Sequence, residues 1–288
     1  MSFAAESAYH RRMPPFRPSH RFAAFVLLSA TAGALTACQP PRPAPKDPAA
    51  VDAAALEAHG YTHAPVITAI AAAGHDFIEI SGTAPADSRV RFAFTDPLRS
   101  GVQAVGVTAD AQGRFRAEVP IAAGGGLYDL TVDDGGRPRQ AEGRLFVPPG
   151  RPDKAVLMRS GSASRLLQPQ GTGIMVADYD AAGAFTLSGR TAPNAAVTVI
   201  VNDEIRALVQ SDAQGVFEAA TQVPQPGPAP QAVNVIVQVD KASFTRSVQV
   251  IGVSGGGASD RVSGTPDGWR VDWRLPGGGS QSTLVFKE

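Results

Sequence analysis

The stretch TADAQGRFRAEVP (108–120) has a counterpart in the same chain, QSDAQGVFEAATQVP (210–224). Both contain the letters DAQG, and in both a Phe follows two positions after the Gly. Upstream, the block SGTAPADSRV (81–90) is matched by SGRTAPNAAV (188–197). Because two blocks recur in the same order and at similar spacing, the sequence indicates a duplicated structural unit.

The DAQG segments have the composition of turns. The side chain of Asp110 or Asp212 can accept a hydrogen bond from the backbone two residues later, and the Gly supplies a positive φ angle. The alternating residues that follow predict a strand that begins at Phe115 or Phe217. The two aspartates are therefore expected to shape turns, rather than to be paired ligands of an active site.

Short β runs separated by Gly, Asp and Pro continue through both copies. The chain has 288 residues, enough for about two domains. Seven strands are predicted in each copy, a density that favours antiparallel sandwiches. In the first copy they are 66–71, 77–82, 90–94, 101–109, 114–119, 127–134 and 143–148; in the second they are 173–179, 184–189, 196–201, 205–211, 216–220, 232–239 and 243–253.

These blocks resemble the bacterial immunoglobulin-like domains that occur in tandem on exported and surface proteins. The residues that fit the pattern are Ser81, Gly82, Pro85, Val90, Asp110, Gly113 and Phe115, and then Ser188, Gly189, Pro193, Val197, Asp212, Gly215 and Phe217. The usual glycine-containing turn after the proline is replaced here by Ala-Asp-Ser-Arg and Asn-Ala-Ala. The resemblance implies an all-β fold of two tandem antiparallel sandwiches and implies no enzymatic activity.

The predicted organisation has six parts. They are a signal peptide (1–37), a lipid anchor with a Pro/Ala-rich tether (38–64), sandwich 1 (65–148), a linker (149–171), sandwich 2 (172–253), and a Gly-rich linker with a Trp-containing β-hairpin (254–288). The signal and tether are expected to be disordered. Within the linker, KAVLMR is compatible with a strand or a short helix. The terminal hairpin is too small to be stable alone, so it should pack on sandwich 2 or pair with its edge.

The N-terminal segment has the character of an export signal. Arg17 and Arg21 precede an apolar run at 22–35, which is too short for a membrane-spanning helix and suits a signal-peptide core. The run ends in LTAC (35–38), which resembles a bacterial lipobox and implies that Cys38, the single cysteine, is acylated. The alternatives are an ordinary secretion signal with an incidental cysteine, and a start at Met13 rather than Met1.

The resemblance to a lipobox predicts where the protein resides. Acylation of Cys38 would anchor the chain in the membrane of a bacterial cell envelope. Gln39 follows the cysteine, whereas an Asp there would favour retention at the inner membrane. We therefore expect the periplasmic face of the outer membrane in preference to the inner membrane.

Other chemistries find little support in the sequence. Lys and Arg together number 26, as do Asp and Glu, and no basic stripe is present, so we expect no nucleic-acid partner. His59 and His63 could face one side of a helix towards a metal, and Asp178 and Asp180 could bind calcium at a module junction. Linker histidines and turn aspartates are the favoured interpretations, so we predict no metal, no cofactor and no catalytic residues.

Trp269 and Trp273 are the candidate ligand contacts. On a strand they share one face about 13 Å apart. If exposed, the rings could stack on sugars; if buried, they form an apolar plug, which is the favoured alternative. The predicted function is that of a non-catalytic scaffold, spacer or adaptor for an envelope protein or glycan. The alternative is an envelope glycan- or peptidoglycan-binding protein that uses this hairpin.

Overall fold

A computed structural model describes residues 63–287, apart from 75, 96–101, 122–123, 135–136 and 253–259. The predicted signal peptide, Cys38 and nearly all of the tether lie outside the described residues. The described part contains twenty β-strands and a single 3-10 turn at Pro152–Lys154. It is all-β, as the sequence predicted, and every strand pairing is antiparallel.

Sandwich 1 consists of two sheets that face each other. Its strands are β1 (Val66–Ala72), β2 (Phe77–Thr83), β3 (Arg89–Thr95), β4 (Val102–Thr108), β5 (Arg114–Pro120), β6 (Gly126–Asp134), β7 (Arg137–Gln140) and β8 (Gly143–Val147). One sheet has the order β1-β2-β5, and the other contains β8-β6-β3-β4 with the short β7 beside β6. Alternate residues of β3 and β5 point into the core between them, including Phe92 and Phe115.

Sandwich 2 repeats this arrangement. Its strands are β11 (Gly173–Asp180), β12 (Ala184–Arg190), β13 (Ala196–Val201), β14 (Glu204–Gln210), β15 (Val216–Gln222), β16 (Gln231–Val239) and β17 (Ala242–Val250). The order β11-β12-β15 faces β14-β13-β16-β17 across a second core. In each copy the first, second and fifth main strands form one sheet and the other four form the second. Two packed antiparallel sheets of three and four strands form an immunoglobulin-like sandwich, with the fourth main strand beside the third in the larger sheet.

The repeated Ser-Gly pairs have a steric role that is the same in both copies. A Cβ atom on Gly82 would lie 2.1 Å from the carbonyl oxygen of Val66, and one on Gly189 would lie 2.1 Å from that of Gly173. These carbonyls belong to the first strand of each sandwich, whose pairing with the second strand is irregular close by. Only Gly permits this close approach, which explains why the glycine recurs.

The segment 149–171 is more than the linker that the sequence predicted. It contains β9 (Val156–Arg159) and β10 (Arg165–Leu166), which extend the larger sheet of sandwich 1 beyond β8. KAVLMR therefore includes a strand rather than a helix, and all four residues of β9 are buried. The physical reason is that both faces of this strand are covered, which suits its continuous apolar run.

The C-terminal segment pairs with an edge of sandwich 2. It forms β18 (Arg261–Thr265), β19 (Gly268–Arg274) and β20 (Ser280–Phe286). β20 pairs with β11, so one sheet has the order β15-β12-β11-β20-β19-β18. The expected hairpin is present as β19 and β20, and β18 adds a third strand that the sequence analysis did not predict.

A third apolar cluster lies between the two sandwiches. It joins the outer face of the larger sheet of sandwich 1 to the outer face of the six-stranded sheet. Its buried members are Leu127, Phe146, Val156, Met158, Leu166, Met175, Val176, Val271, Trp273 and Val285. Four sheets are therefore stacked with three apolar layers between them, and residues 149–171 and the C-terminal strands both contribute to the middle layer.

Candidate functional site

The contact between the sandwiches is the most elaborate feature of the described residues, and we call it the module junction. It comprises the third apolar cluster and a polar network beside it, built from β6, β8–β10, β11, β12, β15, β19 and β20. Phe146, Met158 and Val285 are fully buried there. Burial of each such side chain is worth about 1.5–3 kcal/mol, so the junction holds the two modules in a fixed arrangement.

Asp178 is the centre of the polar network. Its Oδ1 atom accepts hydrogen bonds from Ser164 Oγ at 2.7 Å, Gln281 Nε2 at 3.0 Å and Thr283 Oγ1 at 2.7 Å. Its Oδ2 atom accepts from the Ser164 backbone N–H at 2.7 Å and from Thr186 Oγ1 at 3.0 Å. One carboxylate therefore ties the β9–β10 loop to three strands of the six-stranded sheet.

The environment of Asp178 opposes its ionisation. The side chain is only 3% exposed. Burial raises the pKa of the carboxyl above 3.8, while the hydrogen bonds from Thr283 and Ser164 act in the opposite direction. The five donors stabilise the carboxylate without supplying a countercharge.

Arg159, at the end of β9, joins both modules through its guanidinium group. Its Nη1 lies 3.3 Å from Glu142 Oε1 in sandwich 1, and its Nη2 lies 2.5 Å from Glu218 Oε1 on β15. The same guanidinium donates to the carbonyl of Ala163 in the β9–β10 loop. Since the Arg159 side chain is only 10% exposed, these ion pairs are screened less by water than surface pairs.

Arg144 connects sandwich 1 to the C-terminal strands. Its guanidinium contacts Asp129 on β6 at 2.6 Å and Asp260, just before β18, at 2.6 Å. Asp260 also accepts a hydrogen bond from the backbone N–H of Arg274. An open cleft of about 340 Å³ lies beside these groups, between sandwich 1 and the end of β19. The ion pairs fix one side of this cleft.

The tryptophan pair does not form an exposed platform for sugars. Trp273 is 3% exposed in the module junction, and its Nε1–H donates to Thr283 Oγ1 at 3.1 Å. Trp269 is half-buried beside the same cluster, with Lys287 Nζ 5.5 Å from its ring centroid. The middle apolar layer therefore buries Trp273, which is the alternative that the sequence favoured, whereas it covers Trp269 only in part.

The acidic residues near Tyr179 do not form a calcium site. All five contacts of Asp178 come from N–H and O–H donors, which occupy the lone pairs that a cation would need. Asp180 accepts from the backbone N–H groups of Ala182 and Ala184. Within the described residues, no group of three His, Cys, Asp or Glu side chains is placed to hold a metal. Of the two histidines considered, His63 is exposed, and His59 lies outside the described residues.

The DAQG aspartates make the turns that the sequence predicted. Asp110 Oδ1 accepts from the N–H groups of Gln112 and Arg114, and Asp212 Oδ1 accepts from those of Gln214 and Val216. The turn at Asp180 has the same geometry and the same pattern, D-x-x-G-x-F, at 180–185. This third copy is visible in the sequence as DAAGAF, although its first four letters differ from DAQG at one position.

Solved structures provide the known proteins to which this chain is similar. No protein-family model matches it, and no curated protein matches it. A solved structure of a biofilm-associated protein, BSP domain, is similar at 15% identity with a TM-score of 0.23; the match covers 68% of this chain and 30% of that one. The central fibronectin-III array of RIM-binding protein is similar at 14% identity with a TM-score of 0.24, over 74% of each chain. Because these TM-scores are low, the assignment of the fold rests on the strand order itself.

Within the described residues, no helix is both long enough and apolar enough to span a bilayer.

Proposed function

We propose that this protein is a lipid-anchored scaffold or adaptor of the bacterial cell envelope, without catalytic activity. The observation that supports a scaffold is the module junction. Most tandem domains joined by a flexible linker move relative to each other, whereas these two share a buried apolar layer and a buried polar network. A rigid pair of modules sets a fixed distance and orientation between the surfaces that it presents.

The proposed anchor is the acylated Cys38. The basic residues, apolar run and small residues that precede it supply the whole pattern of a lipobox. From Gln39 to Ala64 the chain could span very roughly 30 Å as a flexible tether, so the sandwiches would work close to the membrane surface. We place the protein at the periplasmic face of the outer membrane, because Gln rather than Asp follows the cysteine.

The rigidity of the scaffold is tested by distances between spin labels. One label would be attached at an exposed residue of sandwich 1, Glu118, and the other at an exposed residue of sandwich 2, Leu208. We expect a single narrow distance distribution in the otherwise native protein and a broad one when Asp178→Ala is added. A broad distribution in the native protein would overturn the proposal of a fixed spacer.

The anchor is tested in a bacterial host by labelling with a fatty acid and by membrane fractionation. Cys38→Ser should abolish the label and release the protein from the membrane, whereas Thr36→Ala, which keeps a small residue in the lipobox, should retain both. Labelling that persists in Cys38→Ser would refute the lipid anchor. A labelled protein that fractionates with the inner membrane would refute only the outer-membrane location.

A further inference from the structure

Strand β4 is an open edge of sandwich 1. It stands at the end of its sheet and pairs only with β3 among the described residues. An edge strand presents backbone N–H and C=O groups that can pair with another extended chain. On the outer face of the sheet, β4 carries the small residues Ala104 and Gly106, so its own side chains leave this face uncovered.

Two arginines lie on β3 directly behind this edge. Arg89 and Arg91 are exposed, and neither guanidinium group makes an ion pair or a hydrogen bond with a described residue. Arg91 is in register with Gly106. Arg89 leans over the same glycine, since a Cβ atom built on Gly106 would lie 3.4 Å from Arg89 Nε and 3.5 Å from Nη2. Both guanidinium groups therefore line an open cleft of about 480 Å³.

One acidic group shares the cleft. Asp133, on β6, is in register with Arg89 and also lines the cleft. Asp133 has an interaction of its own with another residue. Arg89 and Arg91 are therefore the cationic residues that line the cleft and could contact an anionic ligand.

The corresponding edge of sandwich 2 differs. There the edge strand is β14, and its Arg206 is paired with Glu204 at 2.6 Å. On the strand behind it, β13, the outward-facing residues are Ala196, Thr198 and Ile200. They occupy the positions that correspond to Arg89, Arg91 and the next outward-facing residue of β3. The cationic cleft is therefore no part of the repeated fold, and the requirements of the sandwich do not explain it.

We propose that the β4 edge binds an extended, acidic peptide segment of a partner protein by strand addition. The backbone of the segment would pair with β4, and alternate Asp or Glu side chains would reach Arg89 and Arg91 across Ala104 and Gly106. The spacing supports a peptide, because residues i and i+2 of β3 repeat at about 7 Å, as do alternate residues of any extended strand. This proposal names a binding surface for the adaptor role, and it rests on that role having a protein partner.

The test uses the full-length chain purified in detergent and two synthetic peptides. The first is a fluorescent-labelled peptide of alternating Thr and Glu, eight residues long, and the second is the same peptide with alternate amides N-methylated. Binding is measured by fluorescence anisotropy at low and high salt. We expect the Arg89→Gln/Arg91→Gln variant to bind the first peptide about tenfold more weakly, because it loses two charge-assisted contacts.

Two further variants sharpen the result. Gly106→Glu introduces a carboxylate beneath Arg89 and should weaken binding at least as much as loss of the two arginines. The backbone there accepts a side chain, because the contacts of the added Cβ are 3.4 Å or longer. Arg116→Gln, which removes an exposed arginine from the opposite sheet, is the matched control and should bind normally. Far-ultraviolet circular dichroism of each variant verifies that the sandwiches remain folded.

The outcomes separate the possibilities. Loss of binding on N-methylation, together with dependence on both arginines, supports strand addition. Equal binding of both peptides would overturn it in favour of simple charge attraction, and undiminished binding by the arginine variant would overturn the site. If a sulfated oligosaccharide binds with the same dependence on arginine and the peptide does not, the peptide assignment is overturned. None of these measurements depends on lipidation or location, so the site can fail while the proposed anchor stands.

Discussion

Ser164 donates two hydrogen bonds to the buried carboxylate of Asp178, one from its backbone N–H and one from its hydroxyl group, each 2.7 Å long. Ser164 belongs to the loop between β9 and β10, and Asp178 belongs to the first strand of sandwich 2. The pair therefore joins a segment that extends one sandwich to the framework of the other. The hydroxyl group of Ser188 adds a third bond to the same loop, at the carbonyl of Ser164.

Removal of the Asp178 carboxylate should destabilise the protein strongly. Asp178→Ala leaves five donors without their acceptor in a buried site, and we expect a loss of about 3 kcal/mol in the free energy of unfolding. Asp180→Ala is the matched control, because its carboxylate serves an exposed turn and its loss should cost about 1 kcal/mol. Urea denaturation of both variants measures the difference. Equal losses would contradict the role assigned to Asp178.

The titration of Asp178 should differ from that of Asp110. Burial raises the pKa of Asp178 above 3.8, whereas backbone hydrogen bonds from Arg114 and Gln112 lower the pKa of Asp110 below it. Carboxyl-carbon NMR titration would measure both midpoints. Because the folded protein binds the Asp178 proton more tightly than the unfolded chain, the stability from this group is complete below 3.8 and is lost as pH rises through the raised pKa.

A variant with a neutral side chain checks this linkage. The free energy of unfolding of the native protein, relative to that of Asp178→Asn, should fall as the pH rises from 3.8 through the raised pKa of Asp178. The variant supplies the reference because its amide does not titrate. A midpoint for Asp178 below 3.8, or a relative stability that rises with pH, would show that the hydrogen bonds outweigh burial.

The glycine of the second DAQG turn should tolerate no side chain. Gly215 has a φ of 82°, and a Cβ atom there would lie 2.2 Å from the carbonyl oxygen of Thr191. We expect Gly215→Ala to lower the free energy of unfolding by about 2–4 kcal/mol. Gly171→Ala is the control, because its φ is 73° but nothing lies within 4 Å of the added atom. Its cost should be about 1 kcal/mol, from backbone strain alone. Thermal or chemical unfolding would reveal whether the steric clash adds to that strain.

The two tryptophans should behave differently towards solvent. Each single variant leaves one tryptophan as the fluorophore: Trp269→Phe leaves Trp273, and Trp273→Phe leaves Trp269. Because Trp273 is buried in the module junction, acrylamide should quench the fluorescence of Trp269→Phe less than that of Trp273→Phe. Trp273→Ala should also cost about 3–5 kcal/mol of stability, and Trp269→Ala clearly less. Similar quenching of both residues would show that Trp273 is accessible and would revive the hypothesis of a sugar-binding face.

Much of the fold could be predicted from local sequence. The alternation of apolar residues along strands such as 114–119 sets which face of β5 is buried, and the Asp and Gly of each DAQG segment specify the turn before it. These are short-range effects of backbone geometry and side-chain periodicity, so they recur wherever the same letters recur.

The module junction could not be predicted in the same way. Apolar residues occur both in KAVLMR and in the strand that carries Trp269 and Trp273. The sequence of neither segment indicates that it packs against the other. Asp178 illustrates the same limit, because its local context favours a turn while its partners Ser164, Gln281 and Thr283 lie up to 105 positions away. Contacts between distant segments depend on how the sheets stack.

The sequence by itself determined the repeated sandwich and the turns that launch its strands, since each depends on neighbouring residues, and on the same local basis it predicts a lipobox around Cys38. Only the tertiary structure decided that residues 149–171 become strands, that Trp273 is buried and that Arg89 and Arg91 stand behind an open edge. The physical reason is that burial and pairing are properties of whole surfaces: a strand has two faces and two edges, and its sequence does not say which of them another part of the chain will cover.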